Sequence, residues 1–359
     1  VFGGGLFCAA DGVGKGCSPT VNQVSFSGNF AGNGGGGMFN NGSSGGVSSP
    51  VLTNVTFTGN VAVANYGGGM ANYGPFGGVS SPTLTNVIFA GNRANSGGGM
   101  YNFGFGGASN PVLTNVTFTG NQADSNGGGM YNNASNAGTS SPQLVNVILW
   151  GNGASSGPQI YDDGATPAIS YSDIDQDGIT GTSNIRRDPK FVAPTNGNYR
   201  LQPGSPTIDA GTNTGCPATD LDGITRPLDG SGDGSAICDM GAYEAQLLFV
   251  DKDATGGTQD GRSWANAYTT LQEALDKANV NSAGVFEVWV AEGVYYPDLG
   301  GTHVDNDPGE FFRIKYNHVQ LFGGFAATET LRTQRVPSVH LTILSGDIDA
   351  DNGGVDTNT

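Results

Sequence analysis

Pro50-Val-Leu-Thr-Asn-Val-Thr-Phe-Thr-Gly-Asn60 decides the fold. Val55 and Phe57 share one parity and Thr56 and Thr58 the other, the period-2 pattern of a strand with one buried face. Leu52 has the opposite parity, so the chain must turn near Thr53-Asn54 if Leu52 also points inward. Asn tolerates the left-handed backbone angles such a corner needs. The stretch then returns. Pro19, Pro50, Pro82, Pro111 and Pro142 are spaced 31, 32, 29 and 31 residues apart, and Gly-Asn pairs ending at Asn29, Asn60, Asn92, Asn121 and Asn152 keep step. Gly-Gly-Gly-Met units ending at Met38, Met70, Met100 and Met130 lie between them, with a degenerate copy at Gly3-Gly4-Gly5-Leu6. A fixed period of this size means one supersecondary unit stacked on copies of itself. Gly triplets, β-branched residues and Ser/Gly loops leave no room for a helix in the unit. The expected fold is all-β, a right-handed parallel β-helix with about 31 residues per coil.

In such a coil Met70, Met100 and Met130 fill the core from one short strand. Leu52, Leu84, Leu113 and Leu144 fill it from a second, followed by Val55/Phe57, Val87/Phe89, Val116/Phe118 and Val147/Leu149. Asn22, Asn54, Asn86, Asn115 and Asn146 take the corner, where stacked amides can bond up the axis as in cross-β Asn ladders. Asn54-Val-Thr56 and Asn115-Val-Thr117 have the form of glycosylation sequons, but an inward ladder would keep them unmodified. Residues 42–49, 74–81 and 103–110 are expected to protrude as Gly/Ser/aromatic loops on one side.

Glycine supplies 62 of 359 residues, more than twice the usual share of about 7%. The formal net charge of −17 argues against nucleic acid, which calls for a basic stripe. Fourteen Lys and Arg are scattered without a polybasic patch, and no apolar run is long enough for a membrane span. Val1 opens the chain without a signal-peptide pattern, so the expectation is a mature or excised product of a secreted or surface protein. The four cysteines fall into local pairs, Cys8/Cys17 and Cys216/Cys238, which coil stacking would hold far apart. Local disulfides are therefore favoured over a zinc site, which would want Cys-x-x-Cys or a nearby His. Each closes a short loop and stabilises by roughly 3 kcal/mol, in an oxidising compartment.

Past the fifth repeat, Ile160-Tyr161, Ala168–Ser172, Asn184-Ile185 and Tyr199–Leu201 read as strands of irregular coils. Then come Leu201-Gln-Pro-Gly-Ser-Pro-Thr-Ile-Asp-Ala-Gly211, Asp220-Leu-Asp-Gly-Ile-Thr-Arg-Pro227 and Cys238-Asp-Met-Gly-Ala-Tyr-Glu244. These segments resemble the closing region of bacterial surface β-helix proteins of the choice-of-anchor or polymorphic-outer-membrane-protein-like group. The Gly-Gly-Gly-Met-Tyr-Asn and Pro-x-Leu-Thr-Asn-Val-x-Phe-x-Gly-Asn units resemble that group's repeats. The resemblance implies a large secreted or surface-displayed β-helix acting as adhesin or structural module, without catalytic residues.

The chain thus divides into coils and closing segment, 1–248, and the start of a second β-helix unit, 249–359. Residues 249–257 and 260–268 resemble the opening of the same proteins. Thr270-Leu-Gln-Glu273 is a capping-box pattern, and Leu271, Ala274, Leu275 and Ala278 keep helical spacing, so a capping helix is expected near 269–279. Val285–Ala291, Phe311–Ile314, Val319–Phe325 and Leu341–Leu344 read as strands of a first coil. A terminating segment in the middle and an unfinished coil at either end would leave strand edges exposed. The expected partner is therefore another copy, joined head to tail through Val1, Phe2, Leu6 and Phe7 at one end and Leu341, Ile343 and Leu344 at the other.

Three chemical readings were weighed. Asp173-Ile-Asp-Gln-Asp-Gly178 opens like a Ca²⁺ loop but has Asn184 at the twelfth position; Asp229/Asp233 and Asp347/Asp349/Asp351 are similar partial matches, read either as solvated acidic turns or as the preferred places for a bound Ca²⁺. A polysaccharide lyase or hydrolase would need facing carboxylates, yet residues 20–150 hold only Asp124 and Arg93 as charged groups. His303, His318 and His340 lack nucleophile motifs beside them. Tyr66, Tyr73, Phe76, Phe103 and Phe105 form either a carbohydrate-binding face or packing over the coils. The reading is an extracellular structural β-helix that self-associates end to end, with a carbohydrate-binding adhesin module as the alternative and the enzyme third.

Overall fold

The computed structural model of the protein describes residues 2–280, 285–300, 309–315 and 319–346. Its first half is a parallel β-helix whose coils are about 31 residues long. Each coil contributes to three sheets. One sheet stacks Leu6–Ala9, Met38–Asn41, Met70–Tyr73, Met100–Phe103, Met130–Asn133 and Ile160–Asp163, all parallel. A second contains Val51–Thr58, Thr83–Ala90 and Val112–Thr119, flanked by shorter strands. A third is narrow, from Phe30–Ala31 to Gln122–Asn126.

The register puts like on like. Leu6, Met38, Met70, Met100, Met130 and Ile160 form one line, and Phe26, Phe57, Phe89 and Phe118 another. The phenylalanine rings lie 4.8, 4.7 and 4.5 Å apart and within 5° of coplanar, at the spacing of hydrogen-bonded strands. Met70, Met100 and Met130 are wholly buried with these rings in one core. Identical side chains stacked at strand spacing give each coil the same shape complementarity, so the column is dry along its length.

The corner after Leu52 is as expected: Asn54, Asn86, Asn115 and Asn146 have φ between 52 and 56°. In the first copy the corner residue is Gln23, at φ 55°, and Asn22 pairs one position earlier with Thr53. Loops 42–49, 74–81 and 103–110 do not protrude freely. They stack as a fourth turn, bridged Val47 to Val79 to Ala108 to Thr139.

Past Ile160 the expected irregular coils follow, with Ala168–Ser170 and Asp173–Ile174 in parallel register on the column and bridges at Thr182 and Ile185, and the column closes. Gln176 lays its side chain over the last strand: Oε1 accepts the Gln159 and Ile160 amides, each at 3.0 Å, and Nε2 donates to the Ile160 carbonyl at 2.9 Å. Ile179 packs on the core end. Tyr199–Leu201 is no further coil. Asn198–Leu201 pairs antiparallel with Phe191–Ala193 through a turn at Pro194–Asn196.

The closing segment then turns back along the outside of the column. Asn146 exchanges hydrogen bonds with Thr212, Asn115 Nδ2 donates to the Asp239 and Gly241 carbonyls, and Asn86 Nδ2 donates to Thr219. Where this strap lies, outward positions that hold Thr56 and Thr58 in one coil hold Ile88 and Ala90 in the next, buried under Ala242 and Tyr243.

Gln246–Val250 begins a second parallel sheet with Val285–Ala291 and Gln320–Phe325, and straddles the expected boundary at 248/249. All five of its residues are buried, which is why Gln-Leu-Leu-Phe-Val lacks alternation. On one face lies the helix Leu271–Val280, with Leu271, Ala274, Leu275 and Ala278 against Leu248, Val250, Val288 and Val290. Trp289, Phe249 and Phe325 fill the other face. Thr270 and Glu273 bond side chain to side chain at 2.8 Å at the helix start. Gly293–Tyr295 pairs with Thr342–Leu344, while Phe311–Ile314 is not a strand.

Candidate functional site

The outer face of the methionine sheet is aromatic. Its outward register runs Phe7, Phe39, Ala71, Tyr101, Tyr131 and Tyr161. A flanking row carries Tyr73 and Phe103, whose rings stack at 4.8 Å. Tyr66, one turn earlier in its coil, stacks on Tyr101 at 4.3 Å. Phe76 and Phe105 meet edge to face at 5.6 Å. The five aromatics singled out from sequence are thus brought to one side of the column. At Ala71, which is buried, Tyr66 takes the place of the missing ring, and beside it lies a cleft of about 310 Å³ walled by Phe7, Phe39, Tyr66 and Tyr73.

The motif Cys238–Glu244 builds a different centre, in the strap. The Asp239 carboxylate accepts the Asp209 and Ala245 amides at 2.7 and 2.6 Å, and Glu244 accepts those of Leu228 and Asp239 at 2.7 and 3.1 Å. Asp220 accepts three more, from Asp222, Ile224 and Glu244. The buried Arg226 guanidinium lies 3.3 Å from Glu244 and donates to the Gly241 carbonyl. Burial pushes Asp239 far above the usual carboxylate range, aided by the neighbouring Glu244 and Asp209 charges. Burial raises Glu244 too, against the pull of Arg226. These oxygens face backbone amides rather than a cleft, and the arrangement holds the strap on the column. Sequence reasoning saw the motif without this role. The available signal was the pairing of acids with small apolar neighbours in a segment otherwise rich in exposed turns.

Of the Ca²⁺ candidates, Asp347, Asp349 and Asp351 lie outside the described residues. Asp229 turns into its own loop: Oδ1 accepts the Gly232 and Asp233 amides at 2.7 and 3.0 Å, and Oδ2 that of Gly234 at 2.8 Å. Asp233 accepts the Ser235 amide at 2.9 Å. Among the described residues, no three His, Cys, Asp or Glu side chains are grouped to hold a metal. In the Asp173–Gly178 loop, Asp175 and Asp177 pair with Arg186. Asp173 is buried and accepts the Arg187 amide at 3.0 Å. Arg93 and Asp124, the charged pair of the regular coils, meet each other at 2.9 Å on the surface. His340 bonds Glu292 at 2.9 Å, whereas His303 and His318 lie outside the described residues.

Both local disulfides are present, Cys8–Cys17 and Cys216–Cys238, with no free cysteine among the described residues. The second ties the strap to itself beside Asn115.

The two ends of the chain's β-structure expose apolar side chains. At one end Phe2 and Phe7 are 47% and 46% exposed and Leu6 is half-buried; Val1 lies outside the described residues. At the other, Leu341, Ile343 and Leu344 are 60%, 47% and 45% exposed. Leu6–Ala9 and Gln320–Phe325 are the outermost strands of their sheets.

Two amide ladders missed from sequence run up the column. Asn29, Asn60, Asn92, Asn121 and Asn152 link side chain to side chain at 2.8 to 2.9 Å. Asn40, Asn72, Asn102, Asn132 and Asp162 link at 2.8 Å. The corner asparagines bond only in pairs, Asn54 with Asn86 and Asn115 with Asn146, and otherwise hold the strap. The first ladder is capped at Asn152 by Gln159 Oε1 at 2.6 Å. At its other end Asn29 Oδ1 receives no hydrogen bond among the described residues.

No protein-family model, curated protein or solved structure matches this chain. No helix among the described residues is long and apolar enough to cross a membrane.

Proposed function

We propose that this chain is an extracellular structural β-helix unit whose column ends meet the ends of other copies, head to tail, to form a filament or surface layer. The neighbouring copy is either a second chain or the next period of a longer one. The observation that carries the reading is the contrast between the two ends of the first column. One end is closed by Gln176 and Ile179. The other leaves a row of outermost strands, two half-exposed phenylalanines and the acceptor Asn29 Oδ1 facing outward. The second unit likewise ends on the outermost strands Gln320–Phe325 and Thr342–Leu344. Unpaired edges of this kind template further strand pairing. Two disulfides suit an oxidising compartment, which supports secretion or surface display. The likeness of the repeats and closing segment to bacterial surface β-helix proteins points the same way.

The test is sedimentation and light scattering of the purified chain against two end variants, Phe7→Lys and Ile343→Lys. Concentration-dependent assembly that either charge abolishes, and that persists to about 0.5 M salt, is expected because backbone pairing and apolar burial are weakly screened. A chain that stays monomeric at micromolar concentration contradicts the reading.

A further inference from the structure

We infer that the aromatic cleft beside Tyr66 is a binding site for a neutral pyranose unit of a polysaccharide. Ala71 itself is buried, because Tyr66 of the same coil stacks on Tyr101 at 4.3 Å and takes the place a ring at Ala71 would hold. The cleft lined by these rings has a volume of about 310 Å³. This is the lower end of the usual small-molecule range of about 300–1,000 Å³.

The walls suit a sugar. Phe39, Tyr66, Tyr73 and Tyr101 line the cleft and Phe7 closes its outer side. Aromatic faces are electron-rich and attract the C–H face of a pyranose, which carries slight positive charge. The rim supplies amides: the Asn33 side chain and Asn41 Nδ2 line the cleft and make no hydrogen bond among the described residues. A sugar offers hydroxyls to those amides and a C–H face to the rings at once. An apolar peptide side chain would leave the amides unpaired, which lowers affinity. No charged side chain lines the cleft, and the chain carries a net charge of −17, so polyanions are disfavoured.

Cellohexaose, laminarihexaose, maltohexaose, chitohexaose and mannohexaose, with polygalacturonate as the acidic control, test this by calorimetric titration of the intact chain. At least one neutral oligosaccharide should bind one per chain with an affinity little changed between about 0.05 and 0.5 M salt. Tyr66→Ala, at a ring 38% exposed, should weaken it about tenfold, the loss of one stacking contact. No binding of any neutral oligosaccharide to about 10 mM, binding unchanged in Tyr66→Ala, or binding of polygalacturonate alone would overturn the inference. Phe7 lines the cleft and also lies at the proposed end contact, so the titration is run below the concentration at which the chain assembles, which keeps the two readings separately testable.

Discussion

Gly77 and Gly78 are adjacent and obey different physics. Gly77 has φ +76° with nothing within 4 Å of an added Cβ, so its need is conformational. The fourth loop puts Ala137 at that place, with φ 58°. A Cβ on Gly78 would instead collide with the Gly42 carbonyl of the neighbouring coil, and Gly46, Gly107 and Gly138 hold the equivalent place in the other loops. Gly77→Asn should therefore cost well under about 1 kcal/mol, while Gly78→Ala should remove several, as measured by denaturant unfolding. Met100→Ala, in the middle of the wholly buried row, should cost about 2–5 kcal/mol. Asn92→Leu removes the acceptor of the Asn60 backbone amide, while Asn60 Nδ2 keeps the Phe26 carbonyl and Asn121 Oδ1 keeps the Asn92 backbone amide. About 1–3 kcal/mol is expected for the one buried donor so orphaned.

At the scale of elements, the coil was legible in the sequence and the strap was not. Inward residues repeat at a fixed spacing, so Met70, Met100, Met130 and the Leu and Phe rows could be read from period and parity alone. The asparagine ladder was placed on the wrong row. Asn54 and its equivalents have the left-handed backbone anticipated for a corner, but their amides face the strap. The continuous ladder belongs to the Gly-Asn pairs, where the glycine takes the positive φ and leaves Asn60 and Asn92 to point inward. Nothing periodic marks residues 201–245, so their return along the flank leaves only an indirect trace in the change from Thr56 and Thr58 to Ile88 and Ala90. The cleft beside Tyr66 was equally hidden, since the exchange of a ring at Ala71 for one at Tyr66 shows only against the register of the neighbouring coils.

Buried acids of the strap, together with Asp173 at the closed end of the column, set a pH dependence. Burial lifts Asp173 to about 7 and Asp209 to about 6, and raises Asp239 and Glu244 as well. Acids whose folded pKa exceeds the unfolded value bind protons more tightly in the native state. Their contribution is complete below about pH 4 and is lost as pH rises toward about 7. Thermal unfolding should therefore move to lower temperature between pH 5 and pH 8, by about 2–4 °C per kcal/mol lost. Asp173→Asn, which cannot ionise, should flatten that slope. A midpoint that rises over this range would contradict the assignment. Reducing Cys216–Cys238 should loosen the strap by roughly 3 kcal/mol, seen as faster exchange of the Ala242 amide, which donates to Thr117 Oγ1 at 3.1 Å, with the methionine row still protected.

For the whole molecule, the proposed assembly makes the chain a polar building block. Among the described residues the first column is closed by Gln176 and Ile179, and the outermost strands of the second unit are Gln320–Phe325 and Thr342–Leu344, where the next copy is proposed to add. A copy added at Thr342–Leu344 through its own Leu6–Ala9 coil would pair strand with strand, and repetition of that step does not close into a ring unless the rotation per copy permits it. Cryo-electron microscopy of the assembled material tests this most directly. The account predicts a single-start filament in which the Phe2–Ala9 coil of one copy hydrogen-bonds in parallel register to the outermost strands at Gln320–Phe325 and Thr342–Leu344 of the next. Monomers at micromolar concentration, or particles joined through the sides of the columns with both ends free, would contradict it.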